Sequence, residues 1–456
     1  EPGGICISGK VYEEVRNKLP TAFEDLGERE VKNIAEPVRA YRWTDVAADP
    51  TPVMPEAEGV LPLPDKPSIA VLPFTNMSGD PEQEYFSDGI TEDIITELSR
   101  FDMLFVIARN SSFVFRGDAI DISEVGRKLG VRYVVEGSVR RSGNRVRVTA
   151  QLIDATTGNH VWAERYDRDL EDIFAVQDAV VQAIVAALVQ RVSAAEVERT
   201  RRHPATDLAV YDLILRAQHH MGIWTNEDYV KAQELLEKAV DLDPNCAQAY
   251  GTLAWCRAYL TWFEVESQVP AKTAFDAGRR ALSLDPQIVE AHSGLGNAHL
   301  QAGEHEQALH HFETAARLNP NNAHVILQLG YCRAMVGDLE QGLKLLRRAM
   351  RLNPYHPDWY HESFGEALYM AGSYKGATEA FNRMGHKAPW SHGYLAASYA
   401  QLGRMDAARA AAQAFEDAAI EGFTVKDYIE MDLPMYREKA IKDHWLEGYR
   451  KAGLKV

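Results

Sequence analysis

The spacing of apolar residues changes character along this chain, and each change marks a different kind of structure. Between residues 67 and 195 short strands and helices alternate. Ile69-Ala70-Val71-Leu72-Pro73-Phe74 is a continuous apolar run, the pattern of a strand buried on both faces. Leu104 to Ile107 and Tyr133 to Val139 read as two more strands. Val146, Val148, Ala150 and Leu152 alternate with Arg145, Arg147, Thr149 and Gln151, the period of a half-buried strand. A turn at Thr157-Gly158-Asn159 leads to a last strand around Val161 to Tyr166. Helices fall between them: Ile90, Ile94, Ile95, Leu98 and Phe101 mark one face, Ile122, Val125 and Leu129 another, and Phe174, Val181, Ile184, Val185 and Leu188 a third. Asp80 with Gln83, and Asp121 with Glu124, have the spacing of helix caps, and Gly130 that of a helix stop. The order βαβαβββα predicts a mixed-sheet α/β domain.

From residue 206 onward the pattern is helical and repeats itself. Leu242-Asp243-Pro244, Leu284-Asp285-Pro286, Leu318-Asn319-Pro320 and Leu352-Asn353-Pro354 recur, the last two intervals being 34 residues. Leu295-Gly296 with Ala308, Phe312 and Ala315, and Leu329-Gly330 with Gly342, Leu346 and Ala349, echo one another. Such a period predicts helical hairpins stacked into an all-α solenoid over residues 206–434, with an insertion near Thr261 to Pro270. Residues 435–456 read as a terminal capping helix with Ala440, Trp445 and Tyr449 turned inward, because the last repeat otherwise exposes its apolar side.

Residues 45–66 carry Pro50, Pro52, Pro55, Pro62 and Pro64, the composition of a semi-stiff linker. Ahead of it, residues 1–44 are too few to bury a core of their own. There Gly3 to Ser8 reads as a short apolar strand, with Ser8 placed as the N-cap of a helix over Gly9 to Val15.

Charge and cysteine usage narrow the function classes. The net charge of −17 disfavours nucleic acid or an anionic membrane as the ligand, and Arg132, Arg140, Arg141, Arg145 and Arg147 read as the solvated face of a hairpin. Four cysteines without a CxxC fit a reducing compartment, and no apolar run is long enough to span a membrane, so a cytoplasmic location is expected. No GxxxxGK[ST] or GxGxxG phosphate loop is present, and Ser111, Ser112 and Ser138 lack a GxSxG context. His292, His299, His310, His311, His356 and His361 have no metal-ligand spacing. No catalytic or metal residue is expected on this chain.

Three resemblances fit this organisation. The repeat resembles the tetratricopeptide (TPR) family, which implies a concave groove lined by the inner helices that takes up a protein or peptide. By register Trp255, Asn297, Tyr331, Trp359, Glu366 and Tyr369 would face it. Ser68 to Phe74, Phe86-Ser87-Asp88-Gly89-Ile90, Ala108 to Phe113, Glu136 to Arg140 and Gln151 to Ala155 resemble the TolB-like (FlgO-like) domain, assigned to residues 67–195. Gly3 to Val15, Phe23 to Gly27, Val31 to Ile34 and Pro37 to Trp43 resemble the C-terminal end of a class III adenylate/guanylate cyclase domain.

The cyclase resemblance implies a parent enzyme that makes cAMP from ATP with Mg2+ or Mn2+, working as a dimer. The family's metal-binding aspartates and transition-state Asn/Arg pair precede the segment equivalent to Gly3, so this chain is expected to be inactive alone. Lys32 is the one position that the resemblance places near substrate phosphate. The expected function is the regulatory, partner-recruiting portion of such a cyclase. A free-standing TPR scaffold and a TolB-like small-ligand sensor stand beside it as alternatives.

Overall fold

A computed structural model describes residues 6–8, 21–29, 38–47, 61–117, 121–169, 173–188, 208–223, 225–261, 269–419 and 424–456, and the chain divides into two compact units, Glu1–Glu58 and Gly59–Val456. The first unit holds strands β1 (Cys6–Ser8), β2 (Thr21–Arg29) and β3 (Val38–Ala47), in an antiparallel sheet of order β1-β3-β2. Cys6 pairs with Arg42 and Phe23 with Trp43. Ser8 closes β1 as a strand residue. The helix expected over Gly9 to Val15, and Lys32, lie outside the described residues.

In the second unit, β4 (Ser68–Val71) lies between and parallel to β6 (Phe105–Val106) and β7 (Tyr133–Ser142). The sheet continues antiparallel through β8 (Arg145–Asp154) and β9 (Asn159–Asp169), while the short β5 (Thr75–Asn76) also pairs with β7. Among the described residues this module carries the α-helices α1 (Glu84–Ser99), α2 (Arg109–Phe113), α3 (Ile122–Leu129) and α4 (Ile173–Leu188). Because strand side chains alternate, the apolar run of β4 serves both faces. Ile69 and Val71 join Ile90, Ile94, Leu98, Val180 and Ile184 of α1 and α4. Ala70 and Leu72 join Val125 and Leu129 of α3 on the other side. The Asp121 carboxylate caps α3 by accepting from the Ser123 amide, and Gly130, at φ 62°, ends it.

The helical array begins with α5 (Leu208–Met221) and α6 (Asn226–Leu242). It continues as α7 (Ala247–Leu260) with α8 (Val269–Leu284), α9 (Val289–Gln301) with α10 (His305–Leu318), and α11 (Ala323–Met335) with α12 (Leu339–Leu352). The last two pairs are α13 (Asp358–Met370) with α14 (Tyr374–Asn382), and α15 (Pro389–Gln401) with α16 (Met405–Ala418). Four inner helices end at a glycine in the left-handed region, Gly303, Gly337, Gly372 and Gly403, with φ of 74°, 97°, 74° and 72°. Each such stop redirects the chain into the following outer helix. Within the pair α11 and α12 the backbones nearly touch, since a Cβ at Gly330 would lie 3.0 Å from the Gly342 carbonyl oxygen.

After α17 (Val425–Asp432) and a 3-10 turn (Leu433–Met435), α18 (Lys439–Ala452) lies along α15. Trp445 and Tyr449 are buried beneath it. Ala440, expected inward, is exposed; Ile441 takes that place one residue later.

Candidate functional site

The α/β module and the helical array share one core. Tyr211 and Leu215 of α5 enter the cluster built by α1 and α4, and a Cβ on Gly89 would lie 2.6 Å from a Leu215 methyl, so α1 and α5 approach at a glycine. On its other side α5 commits Val210, Ile214, Ala217 and Met221 to the first hairpins. The Tyr211 hydroxyl donates to Asp93 Oδ2 at 2.5 Å, and Gln177 Nε2 donates to the same oxygen at 2.9 Å.

The second set of bonds uses the repeat loops. Asn319 Nδ2 donates to the Thr96 carbonyl, and Asn321 Nδ2 to those of Ser99 and Phe101. The Leu352 carbonyl accepts from the Ala108 amide at 2.8 Å. The Ser111 hydroxyl donates to Asn353 Oδ1 at 2.6 Å. Arg351 reaches the carbonyls of Pro62, Leu129 and Gly130. The two equivalent loops upstream behave differently: Asp243 and Asp285 each accept from the amide two residues on, at 2.9 and 2.8 Å, in a local turn. An aspartate suffices in these two loops, whose described contacts stay within the helical array. Where the loop is buried against the α/β module the residue is asparagine, an uncharged side chain that avoids the cost of a buried carboxylate.

Between these contacts lies a cleft of about 160 Å³. One wall is α1 from Glu92 to Ser99 together with Ala108, Arg109 and Asn110. The other is the end of α5 and the first turns of the inner helices, including Glu290, His324, Trp359 and Tyr360, with Trp255 further along α7. The rings form a continuous wall: His324 lies 5.2 Å from Trp255 and 5.0 Å from Trp359, centroid to centroid, and its Nε2 is 2.9 Å from the Tyr259 hydroxyl. Burial pushes the His324 imidazole down to about 3, so it is neutral at physiological pH. Arg109 Nε pairs with Glu92 Oε2 at 2.9 Å.

The residues assigned to the groove by register divide among four environments. Trp255 and Trp359 line the cleft. Asn297 is buried and its Nδ2 donates to the Ser293 carbonyl of its own helix. Half-buried Tyr331 donates its hydroxyl to Glu366 Oε2 at 2.8 Å, and Glu366 itself is buried. Tyr369 is fully buried, stacks on His444 at 5.1 Å and donates to the His444 carbonyl, so the terminal helix covers it. Sequence register places all six on inner helices, but it has no means of finding the segment that later folds back over one of them.

Glu366 belongs to a group of enclosed carboxylates. Burial pushes Glu362 and Asp432 each up to about 7, and it raises Glu366 well above the carboxylate range, aided by the charges of Glu362 and Asp432. The Ser391 hydroxyl donates to Glu362 Oε1 at 2.6 Å.

The histidines and cysteines read as packing groups. His292 and His311 meet at 3.0 Å between their Nδ1 atoms, His299 stacks on His311, and burial lowers His311 to about 4. Among the described residues no group of three or more His, Cys, Asp or Glu side chains is arranged to hold a metal. Burial pushes the Cys256 and Cys332 thiols up to about 12, which removes the thiolate that a nucleophile needs. Among the described residues no helix is long and apolar enough to cross a membrane.

Comparison with known proteins adds two family matches and several relatives. Residues 289–322 match the tetratricopeptide repeat, and the chain carries TPR repeats. Residues 65–186 match the second domain of HilA/YgeH-like transcriptional regulators. "Putative adenylate cyclase 3" of Rhizobium meliloti is 51% identical over 256 residues, which are 56% of this chain and 43% of the relative. The Tol-Pal system protein TolB of Alkalilimnicola ehrlichii is 27% identical over 134 residues, covering 28% of this chain and 29% of the relative. The chain thus spans less than half the length of the curated relatives it matches. Among solved structures, PilF of Pseudomonas aeruginosa aligns with 49% of this chain and 97% of its own, at 19% identity and a TM-score of 0.35.

Proposed function

We propose that this chain is the regulatory and partner-binding portion of a class III adenylate cyclase working in the cytoplasm. On this reading a TolB-like module and a TPR solenoid flank the end of a catalytic domain. The observation that carries the proposal is the 51% identity to a relative named as an adenylate cyclase, together with the cyclase-like run around Gly27 and Tyr41. The TPR repeats support a protein or peptide as partner. The match of residues 65–186 to a domain of transcriptional regulators supports a regulatory rather than catalytic α/β module. ATP, Mg2+ or Mn2+, and dimerisation belong to the catalytic domain of the parent on this reading, and Lys32 is its one candidate contact to substrate.

The proposal makes the solenoid surface near Trp359 relevant to the rate of cAMP formation. In a cyclase that contains this chain and its catalytic domain, Trp359→Leu should change that rate more than twofold while leaving the melting temperature nearly unchanged. An unaltered rate at normal stability would remove the regulatory role of this surface.

A further inference from the structure

The two edges of the α/β sheet differ. At one edge β6 is only Phe105–Val106, whereas at the other β9 runs from Asn159 to Asp169, and among the described residues no strand pairs with its outer side. An open edge presents a row of N–H and C=O groups that a further strand can take up. Against β8 the register of β9 shifts at one point, where Val161 is the extra residue between His160 and Trp162, so the regular edge is Trp162 to Asp169. Its side chains alternate between two faces. Trp162 and Tyr166 pack against the core cluster that includes Val180 and Ile184 of α4, and Glu164 and Arg168 share their face. Arg165, Asp167 and Asp169 lie on the other face, where Asp167 bridges Arg145 and Arg147 of β8 at 2.8 and 2.5 Å. Glu164, Arg165 and Arg168 are exposed. Arg168 donates to the Asp167 carbonyl, and among the described residues neither Arg165 nor Arg168 pairs with a carboxylate.

Sheet edges that stay single are commonly guarded by charge, lysine above all. The β9 edge carries both signs, and their order selects one way of pairing with itself. Opposed residues in an antiparallel pair share a face and a hydrogen-bonding class, so two copies related by a two-fold axis pair about a residue and not about a peptide bond. Like charges directly opposite each other are unfavourable. An axis at Glu164, Arg165, Asp167, Arg168 or Asp169 sets that residue against its own copy. An axis at Trp162 or Ala163 runs the pairing into the irregularity at Val161. An axis at Tyr166 keeps the pairing within Ala163 to Asp169, sets ring beside ring, and places Arg165 opposite Asp167 and Glu164 opposite Arg168 in both directions.

We propose that β9 is a self-association edge, at which two copies of this chain pair antiparallel through Ala163 to Asp169 about a two-fold axis at Tyr166. The pairing joins two sheets into one. Arg165 and Arg168 of each copy then meet Asp167 and Glu164 of the other. This interface lies on the α/β module and is separate from the catalytic-domain dimer of the cyclase reading, so neither depends on the other.

The test is sedimentation equilibrium of the full chain at micromolar concentrations, with the melting temperature as the check on folding. The chain should sediment as a dimer that dissociates on dilution, and the amides of residues 163–169 should exchange hydrogen more slowly as protein concentration rises. Glu164→Arg sets arginine opposite Arg168, and Arg168→Glu sets glutamate opposite Glu164. The two-fold axis repeats each change, so each should weaken self-association about tenfold or more. The double variant, Glu164→Arg with Arg168→Glu, brings opposite charges together again and should recover the dimer, because only the register about Tyr166 opposes these two positions. Both side chains are exposed, so all three variants should melt near the unsubstituted chain. A chain that is monomeric throughout that range, single variants that associate as the unsubstituted chain does, or a folded double variant that stays dissociated would each overturn the proposal.

Discussion

The Ser111 hydroxyl donates to Asn353 Oδ1 across the junction between the α/β module and the fourth repeat loop, at 2.6 Å, and accepts from the Tyr355 amide at 2.7 Å. One hydroxyl thus satisfies a side chain and a backbone group of the solenoid. Ser111 and Asn353 are both fully buried, so neither has water as a substitute partner. Orientation of the two modules is set by such bonds as much as by apolar contact.

Asn321 tests this directly. Its Nδ2 serves the carbonyls of Ser99 and Phe101. Asn321→Ala removes this donor from two carbonyls that each keep a backbone donor, the Asn321 and Leu104 amides, and should cost about 0.5–1.5 kcal/mol in urea unfolding. Hydrogen exchange should rise around residues 99–108. The matched change Asp243→Asn, at a side chain that accepts from the Asn245 amide two residues on, should stay within about 0.5 kcal/mol.

Gly448 carries a second expectation. A Cβ there would lie closer than 2 Å to the Tyr369 hydroxyl oxygen and 3.0 Å from the Ala397 Cβ. Gly448→Ala should therefore lift the terminal helix and destabilise the last repeats by about 1–3 kcal/mol, the usual range for overpacking. Deleting the ring instead, by Tyr369→Ala, should cost about 3–5 kcal/mol through cavity formation. Loss of partner capture in that variant would follow from unfolding rather than from a lost contact.

The enclosed carboxylates set a pH dependence with a defined sign. Glu362 and Asp432 are raised to about 7 in the folded chain, against about 4 unfolded, so the folded state holds more protons between those values. Their contribution is fully present below about pH 4, shrinks as pH rises, and is gone above about pH 7. Glu366 is raised in the same direction. Glu366→Gln keeps an oxygen for the Tyr331 hydroxyl and removes the titrating group. It should raise the melting temperature at pH 8 and flatten its slope between pH 5 and 8. A steeper slope in the variant would contradict the assignment.

Tyr331 and Trp359 separate stability from capture. The Tyr331 hydroxyl holds Glu366 Oε2, so Tyr331→Phe should lose about 1–3 kcal/mol by leaving a buried carboxyl short of a donor. Trp359 faces the cleft, and Trp359→Leu should fall well below that loss in the same thermal assay.

Much of the architecture is legible in the sequence because it rests on local periodicity. The β4 run, the Asp121 cap with its Gly130 stop, and the 34-residue recurrence each announce an element from within a few residues. The module junction is not local. Asn321 meets carbonyls more than two hundred residues earlier, and no periodicity encodes that pairing. A faint signal did exist: the loops change from Leu-Asp-Pro at 243 and 285 to Leu-Asn-Pro at 319 and 353, and the change coincides with burial against the α/β module. The groove positions were legible as inner-helix residues. What separates Trp359, in the cleft, from Tyr369, under α18, is the return of a later helix. That return depends on Gly448 allowing close approach.

The most direct test of the proposed function is cAMP formation from ATP with Mg2+ or Mn2+, measured on this chain and on the same chain extended upstream through its reading frame. The proposal expects no cAMP above background from this chain and turnover from the extended protein. Turnover by this chain, or an extended protein that folds but makes no cyclic nucleotide, would contradict it.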